Sequence, residues 1–278
     1  MKGKLQLLLI LVILCILPLQ ARREKGNGNI ITRSVSVGEY DGVEVGGQIE
    51  GQNGIGWLGW FSKGDGPAYV FNYSQGNAAS LKVTIDENLY PFLDIRVKEG
   101  RLVVRTKDDT RIQPTELKFE GVSKKLESLR ISGCIDFALQ TPLSGDRLSV
   151  RSSGGSDVYM KQPVRMTFCE VHASGGSDVV FDDLECTEFA SGTSGGSDLD
   201  LKGKADKAEF RSSGGSDIDA YGFHVKDLRC RASGGSDIYA YATEHLDAAA
   251  SGGSDIHYKG PAQVTSSESG GSDVSKAD

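Results

Sequence analysis

Serine and aspartate, two residue types with ligand chemistry, recur at fixed spacing in the second half of this 278-residue chain. The stretch SGGSD occurs seven times, and a degenerate copy, SGCID, precedes the first of them. Successive aspartates are 18 to 21 residues apart, which identifies a repeat array. Carboxylates and hydroxyls are oxygen ligands for calcium, and they also bind backbone N–H groups in turns. The eight aspartates are Asp136, Asp157, Asp178, Asp198, Asp217, Asp237, Asp255 and Asp273.

We interpret the motif first as a tight corner, in which two glycines supply positive φ angles and serine and aspartate bind nearby N–H groups. If the corners stack, neighbouring carboxylates about 4.8 Å apart repel by roughly 1 kcal/mol in water. Hydrogen bonds, outward splaying or bound cations must offset this repulsion. A calcium ladder along the aspartates is therefore the alternative hypothesis. The corner glycines are Gly154, Gly155, Gly175, Gly176, Gly195, Gly196, Gly214, Gly215, Gly234, Gly235, Gly252, Gly253, Gly270 and Gly271.

A second candidate site is the glycine-rich segment 48–68, which carries Trp57, Trp60 and Phe61 within five residues. Exposed flat rings offer stacking surfaces to sugars or anchors to a protein partner. The alternative is that these rings plug the N-terminal end of the apolar stack, because every solenoid needs its ends covered. The sequence leaves both interpretations open.

Catalytic patterns are weak. One GxSxG match, GTSGG, places Ser194 in the nucleophile position, but it overlaps a corner and leads into a strand instead of a helix. The four histidines occupy different places in the repeat, so they would not stack into a metal site. Arg151, Arg211 and Arg231 share the position six residues before the aspartate, which we interpret as solvated charge beside acids. We therefore predict no enzyme activity and no cofactor, with calcium as the one alternative.

The flanking residues predict the elements that must hold these corners. An aliphatic or aromatic residue follows each aspartate, and apolar residues two apart precede and follow the corner. This period is typical of strands with one buried face. A unit of about 20 residues cannot bury its own apolar face, so successive units must stack, as in a parallel β-helix. Antiparallel hairpins in a sandwich or barrel are the competing fold, but their corners would alternate between opposite ends of a sheet.

Three stretches precede the repeats: GNGNIITRSVSVGEYDGVEVGG, QGNAASLKVTIDENL and VKEGRLVVRT. With these stretches and its repeated corners, the chain resembles the auto-transporter adhesin family with a head GIN domain. The resemblance covers nearly all of the chain that follows residue 21 and is carried by three stretches and by the repeated Gly-rich corners. It implies a right-handed parallel β-helix in exported envelope proteins, and it supplies no catalytic residues. Segment 48–68 departs from the family pattern as an insertion.

Four regions follow from these patterns. Residues 1–21 carry two lysines and then an apolar run, which predicts a secretory signal peptide, with an uncleaved anchor as the alternative. Residues 22–29 are predicted to be a flexible segment. Residues 30–125 form an N-terminal β region of irregular coils or a cap, and residues 126–278 form the repeat solenoid. The protein is then exported to the periplasm, the outer membrane surface or the medium.

Charge and cysteine content limit the partners. The net charge of −7 argues against nucleic acid, because phosphate binding needs concentrated Lys and Arg. Cys134, Cys169, Cys186 and Cys230 could pair in three ways, although buried free thiols are favoured. The chain stops five residues after Asp273, so we expect an uncapped coil there and a homo-oligomer through that end. The predicted function is adhesion to a surface protein or glycan, and the alternative is a polysaccharide-binding or polysaccharide-degrading β-helix.

Overall fold

Stacked strands build nearly all of the described chain, which comprises residues 22–50, 69–107 and 110–278 of a computed structural model. The predicted signal peptide and the aromatic residues Trp57, Trp60 and Phe61 lie outside these residues. Within the described ranges, no helix has the length and apolar character that crossing a membrane requires.

Twenty-one strands and one short 3-10 turn, Tyr90–Phe92, make up the described secondary structure. The strands are β1 (Arg23–Lys25), β2 (Ile30–Val35), β3 (Gly42–Val45), β4 (Val70–Gln75), β5 (Ser80–Asp86), β6 (Leu93–Lys98), β7 (Arg101–Thr106), β8 (Arg111–Gln113), β9 (Leu117–Ser123), β10 (Ser128–Ser132), β11 (Asp136–Leu139), β12 (Leu143–Ser153), β13 (Val158–Met160), β14 (Val164–Ser174), β15 (Val179–Ser194), β16 (Leu199–Ser213), β17 (Ile218–Gly234), β18 (Ile238–Gly252), β19 (Asp255–Lys259), β20 (Gln263–Gly270) and β21 (Asp273–Lys276).

From β10 onward every strand pairing is parallel, and each strand pairs with the equivalent strand one coil away. The strands before the corner form one ladder, β10–β12–β14–β15–β16–β17–β18–β20. The strands after the corner form a second ladder, β11–β13–β15–β16–β17–β18–β19–β21. The predicted parallel β-solenoid with coils of about 20 residues is confirmed. The alternative of antiparallel hairpins in the repeat is wrong, because equivalent corners all lie on one edge of the stack.

The alternation predicted from the apolar residues produces the core. In β14, buried residues alternate with more exposed ones over most of the strand. Strands β15 to β18 continue from one face of the coil onto the next, which is why they reach 15 to 17 residues. Large rings fill the stack near its N-terminal end, where Phe71 lies between Phe119 and Phe137 with ring centroids 5.9 and 6.1 Å away.

The N-terminal strands combine two arrangements. Strands β3 and β4 extend the two parallel ladders, since β3 pairs with β10 and β4 pairs with β11. Strands β2, β5 and β9 pair antiparallel beside them, as do β6 and β7. The buried carboxylate of Asp86 ties this region together, because it accepts N–H bonds from Gly28 at 2.8 Å and Thr115 at 2.7 Å.

Candidate functional site

The second serine of each SGGSD motif points into the coil. Its side chain is fully buried in six copies. In the earlier copies the hydroxyl bonds to the preceding coil: Ser197 Oγ accepts the N–H groups of Gly176 at 3.2 Å and Ser177 at 3.1 Å. In the later copies it closes its own turn, as when Ser236 Oγ accepts the Ser233 N–H at 3.2 Å. The backbone therefore occupies these hydroxyls. The six buried serines are Ser156, Ser177, Ser197, Ser216, Ser236 and Ser254.

The two glycines of the motif have different roles. The first has a positive φ in all seven copies, and an added Cβ would lie close to the corner of the preceding coil, as at Gly214, where it would be 3.3 Å from the Gly195 nitrogen. The second has a positive φ only at Gly155, Gly176 and Gly196. The expectation of two positive φ angles per corner is therefore wrong for the other four copies, whose corners close with one left-handed glycine. These four glycines are Gly215, Gly235, Gly253 and Gly271.

The aspartates form a continuous column, here called the aspartate column. In each step the backbone N–H of one aspartate donates to Oδ1 of the aspartate one coil earlier, at 3.0 to 3.4 Å. This bond supplies the offset that stacked carboxylates require. The pairs, donor first, are Asp157–Asp136, Asp178–Asp157, Asp198–Asp178, Asp217–Asp198, Asp237–Asp217, Asp255–Asp237 and Asp273–Asp255.

Burial affects the first members of this column. It raises the pKa of Asp136 to about 6, with the Asp157 N–H opposing the shift and the Asp157 charge adding to it. Burial and the charges of its neighbours also raise the pKa of Asp178. The calcium ladder stays a prediction, and thermal unfolding with calcium and then with a chelator tests it. Each Oδ1 except that of Asp273 already accepts an N–H, so a cation would depend mainly on the second carboxylate oxygen.

The residues considered for catalysis are dispersed. Ser194 ends strand β15 at an exposed position, and no hydrogen bond joins it to a histidine within the described chain. His172 instead contacts Glu170, with 2.9 Å between its Nε2 and the carboxylate. His245 contacts Asp227 at 2.8 Å, and Glu244 completes an exposed group with metal-ligand atoms, the single group of three in the described ranges. Sequence reasoning missed this group because Asp227 lies one coil before Glu244 and His245.

Rings also line up along the face after the corner. Tyr239 lies between Tyr221, with centroids 5.5 Å apart, and His257, with centroids 5.3 Å apart. His224 stacks on Tyr241 at 4.1 Å. These rings contact one another along the stack, so they stabilise neighbouring coils in the way that cross-strand pairs do. The four cysteines in the described ranges are free thiols, and burial raises the pKa of Cys186 to about 12.

A second column stands six residues before the aspartates and is called the arginine column. Direct register places Arg130 opposite Arg151 and Arg211 opposite Arg231 in neighbouring strands. Like charges in such positions destabilise a sheet. The column contains Arg130, Arg151, His172, Gly192, Arg211, Arg231, Ala249 and Ser267.

The C-terminal arginines of this column each have an acid. Arg211 donates to Glu209 Oε1 from Nε at 3.1 Å and from Nη2 at 2.7 Å. Arg231 donates to both oxygens of Asp247, at 3.2 and 2.9 Å, and this contact holds the pKa of Asp247 below its ordinary value. These pairs match the predicted charge compensation.

The N-terminal arginines lie at a concavity of about 510 Å³, here called the arginine basin. Glu44 is its acid. Burial opposes ionisation of Glu44, but the guanidinium of Arg105, with those of Arg101 and Arg130, outweighs burial and leaves its pKa below the ordinary value. The Arg130 guanidinium is 3.8 Å from Glu44, which is longer than a hydrogen bond. The principal lining residues of the basin are Glu44, Arg105, Arg130, Arg151, Ser132 and Ser153.

Comparison with known proteins gives consistent results. The family described as "Putative auto-transporter adhesin, head GIN domain" matches residues 66–262. The crystal structure of a putative adhesin from Parabacteroides merdae is 25% identical, with a TM-score of 0.81 over 93% of this chain and 100% of that one. Two proteins from Parabacteroides distasonis, one described as a putative lipid binding protein and the other as a putative adhesin, are 26% and 27% identical, with TM-scores of 0.82 and 0.80. Each of those matches covers 92% of this chain and 100% of the other. No curated protein matches.

Proposed function

Because the chain belongs to the family described as "Putative auto-transporter adhesin, head GIN domain", we propose that it is an exported cell-envelope protein that acts by surface attachment and not by catalysis. The signal-peptide pattern of residues 1–21 supports export, since it has a charged start and an apolar run. The structural neighbours described as adhesins support the adhesive role.

The observation that carries the proposal is the bonding inside the corners. The residues that could perform chemistry in every coil are the serine hydroxyl and the aspartate carboxylate, and both bind backbone N–H groups. A general acid or base must instead be free to reach a substrate proton. The repeat therefore uses its reactive residue types to build a long scaffold, and ligand contact falls to the outward columns on the strands.

Two alternatives differ in their support. Degradation of a polysaccharide would need a pair of free carboxylates beside a cleft, and the repeated carboxylates are engaged in the corner. Binding of a polysaccharide needs no such pair and is favoured by the arginine basin. One of the Parabacteroides distasonis neighbours is described as a lipid binding protein. Here the interior is filled by closely packed side chains such as Phe71, Phe181 and Phe223, each 0% exposed, so a lipid would have to bind outside the coil.

The proposal is tested by two separate measurements in the native bacterium. Cell fractionation and protease treatment of intact cells locate the protein, and we expect it in the envelope or medium. Beads coated with the purified repeat protein are then compared with beads carrying an unrelated β-solenoid for binding to host-type and bacterial surfaces. A cytoplasmic location would overturn export. Equal binding by both kinds of bead would overturn the adhesive role.

Self-association through the last coil stays a prediction. In β20 and β21 two of the positions that face inward in earlier coils carry charged residues, since Glu268 pairs with Ala250 and Lys276 pairs with Tyr258. Inward-pointing charges protect an open strand edge against pairing. Sedimentation equilibrium at several protein concentrations tests the prediction, and a monomer at all of them would end it.

A further inference from the structure

Arg151 is the exposed arginine of the arginine column that forms no ion pair with a described carboxylate. Within the described ranges, no carboxylate lies within the 4.0 Å of an ion pair, although Arg211 and Arg231 in the same column each have one. Glu170, whose pKa is lowered by its 2.9 Å hydrogen bond to His172 and also by the charge of Arg151, lies 3.8 Å from Arg147. Arg151 therefore lies directly opposite Arg130 with its charge uncompensated at short range.

Glu44 cannot neutralise both members of this pair. Its carboxylate contacts Arg105 on one oxygen, and Arg101 donates to the other at 3.2 Å. Arg130 is left at 3.8 Å from Glu44. Glu44 is therefore the one described carboxylate at ion-pair distance from this arginine pair, and it is shared with Arg101 and Arg105. A bound anion would stabilise such an arrangement by bidentate hydrogen bonds.

The walls of the basin add neutral polar groups to this charge. Ser132 and Ser153 belong to the outward serine positions of the first two corners, and neither hydroxyl has a partner among the described residues. Gly46 makes the space for one of them, because an added Cβ would be 2.5 Å from Ser132 Oγ. A volume of about 510 Å³ exceeds what an inorganic anion fills and is in the range of small-molecule sites.

We propose that the arginine basin binds an acidic saccharide, whose carboxylate or sulfate lies between Arg130 and Arg151 and whose hydroxyl groups contact Ser132 and Ser153. The inference deepens the proposed adhesive function and rests on it for the choice of a sugar as the carrier of the anion. A nucleic acid is a poorer fit, because the neighbouring concavity, which Arg130 and Arg151 also line, contains four carboxylates that would repel a polyphosphate extending beyond the basin. They are Asp41, Glu99, Glu127 and Glu170.

The test is isothermal titration calorimetry on the folded chain at low and physiological salt. The ligands are a uronic-acid oligosaccharide, a sulfated oligosaccharide, a neutral oligosaccharide of equal length and sodium sulfate. We expect one or both acidic sugars to bind, more weakly as salt rises, and the neutral sugar to bind far less. Which acidic sugar binds identifies the source of the anion.

Arg151→Ala and Arg130→Ala are the test variants, and Arg211→Ala is the matched control from the same column. Loss of one charged bidentate contact is expected to weaken binding by about tenfold or more, while the control changes it less than about twofold. Arg151→Lys should recover part of the affinity, because it restores charge without the planar fork. Unchanged far-UV circular dichroism and Tm show that each variant is folded.

Three outcomes would overturn the assignment: equal loss of affinity in Arg151→Ala and Arg211→Ala, equal affinity for neutral and acidic sugars, or binding of sulfate alone without any saccharide. Failure of the site is distinguishable from failure of the adhesive role. If the variants lose saccharide binding but the wild-type beads attach to no surface, the site stands and the adhesive role falls. If the beads attach to a surface but no acidic sugar binds, the adhesive role stands and the saccharide site is wrong.

Discussion

The aspartate column and the arginine column lie on the same coils, six residues apart along the chain, with the corner between them. The first places like charges in neighbouring coils throughout, and the second does so at Arg130–Arg151 and Arg211–Arg231. In the aspartate column every carboxylate except that of Asp273 accepts an N–H from the next coil. In the arginine column the offset differs from coil to coil, since Arg231 has Asp247 and Arg151 has no acid within ion-pair distance. A column that the backbone itself compensates is part of the scaffold. In a column that depends on individual side-chain partners, a residue without a partner is available to contact a ligand.

A substitution in the corner that separates the two columns should change the unfolding free energy most. Gly214→Ala forces a side chain into the left-handed region and toward the Gly195 nitrogen, so we expect a loss of about 2 kcal/mol in unfolding free energy. Gly215→Ala is the matched control, because its φ lies outside that region and an added Cβ meets nothing within 4 Å. Its effect should stay within about 0.5 kcal/mol. Urea unfolding of both variants measures the difference, and equal losses would show that the corner is not closed by one glycine.

Removing one acceptor from the aspartate column should have the next largest effect. Asp237→Ala leaves the Asp255 N–H without its 3.1 Å partner and should cost about 1–2 kcal/mol, as expected for a hydrogen bond to a charged group. Asp237→Asn keeps Oδ1 and removes only the charge, so we expect a loss below about 0.5 kcal/mol. Thermal unfolding of the two variants separates the acceptor from the charge. If asparagine costs as much as alanine, the charge itself is required and the calcium ladder gains support.

Asp136 tests how well the column compensates a buried charge. Its folded pKa of about 6 lies above the ordinary value, so the folded state keeps a proton that the unfolded state loses first. Stability then falls as the pH rises from about 4 to about 6, and it stays lower above that range. Asp136→Asn should raise the unfolding free energy at pH 7.5 by about 1 kcal/mol, after allowance for solvent screening, and should have no such effect near pH 3.5. A difference that does not depend on pH would contradict this account.

The sequence was sufficient for the scaffold for a physical reason. Seven near-identical corners and apolar residues two apart repeat the same local preference in every coil, so each copy supports the same assignment. Its limit is visible at Gly215, where the same motif closes with one left-handed glycine instead of two. The motif letters are identical in both cases, so the motif alone does not determine the φ of its second glycine.

The candidate site was less predictable from the sequence, because it depends on which arginine of the column lacks an acidic partner. Sequence placed Arg151, Arg211 and Arg231 at one repeat position and treated them alike. Their acids lie on different strands: Glu209 precedes Arg211 by two residues, whereas Asp247 reaches Arg231 from the following coil. The missing partner of Arg151 is visible only when register and distance are known. Glu44, which comes from the N-terminal strand β3, carries no repeat signal at all.

The smallest expected effect separates the two columns most sharply. Arg151→Ala removes a charge that faces Arg130 and loses no ion pair, so the unfolding free energy should change by less than about 0.5 kcal/mol, with a small increase favoured at low salt. Arg231→Ala loses two hydrogen bonds to Asp247, so this substitution should lower the unfolding free energy by up to about 1 kcal/mol. Chemical unfolding at two salt concentrations measures the unfolding free energies of both variants. Added salt should reduce the difference between these two free energies, because it screens surface charges. A clear loss of stability in Arg151→Ala would mean that this arginine holds the coils together, as the aspartates do, and is not held available for a ligand.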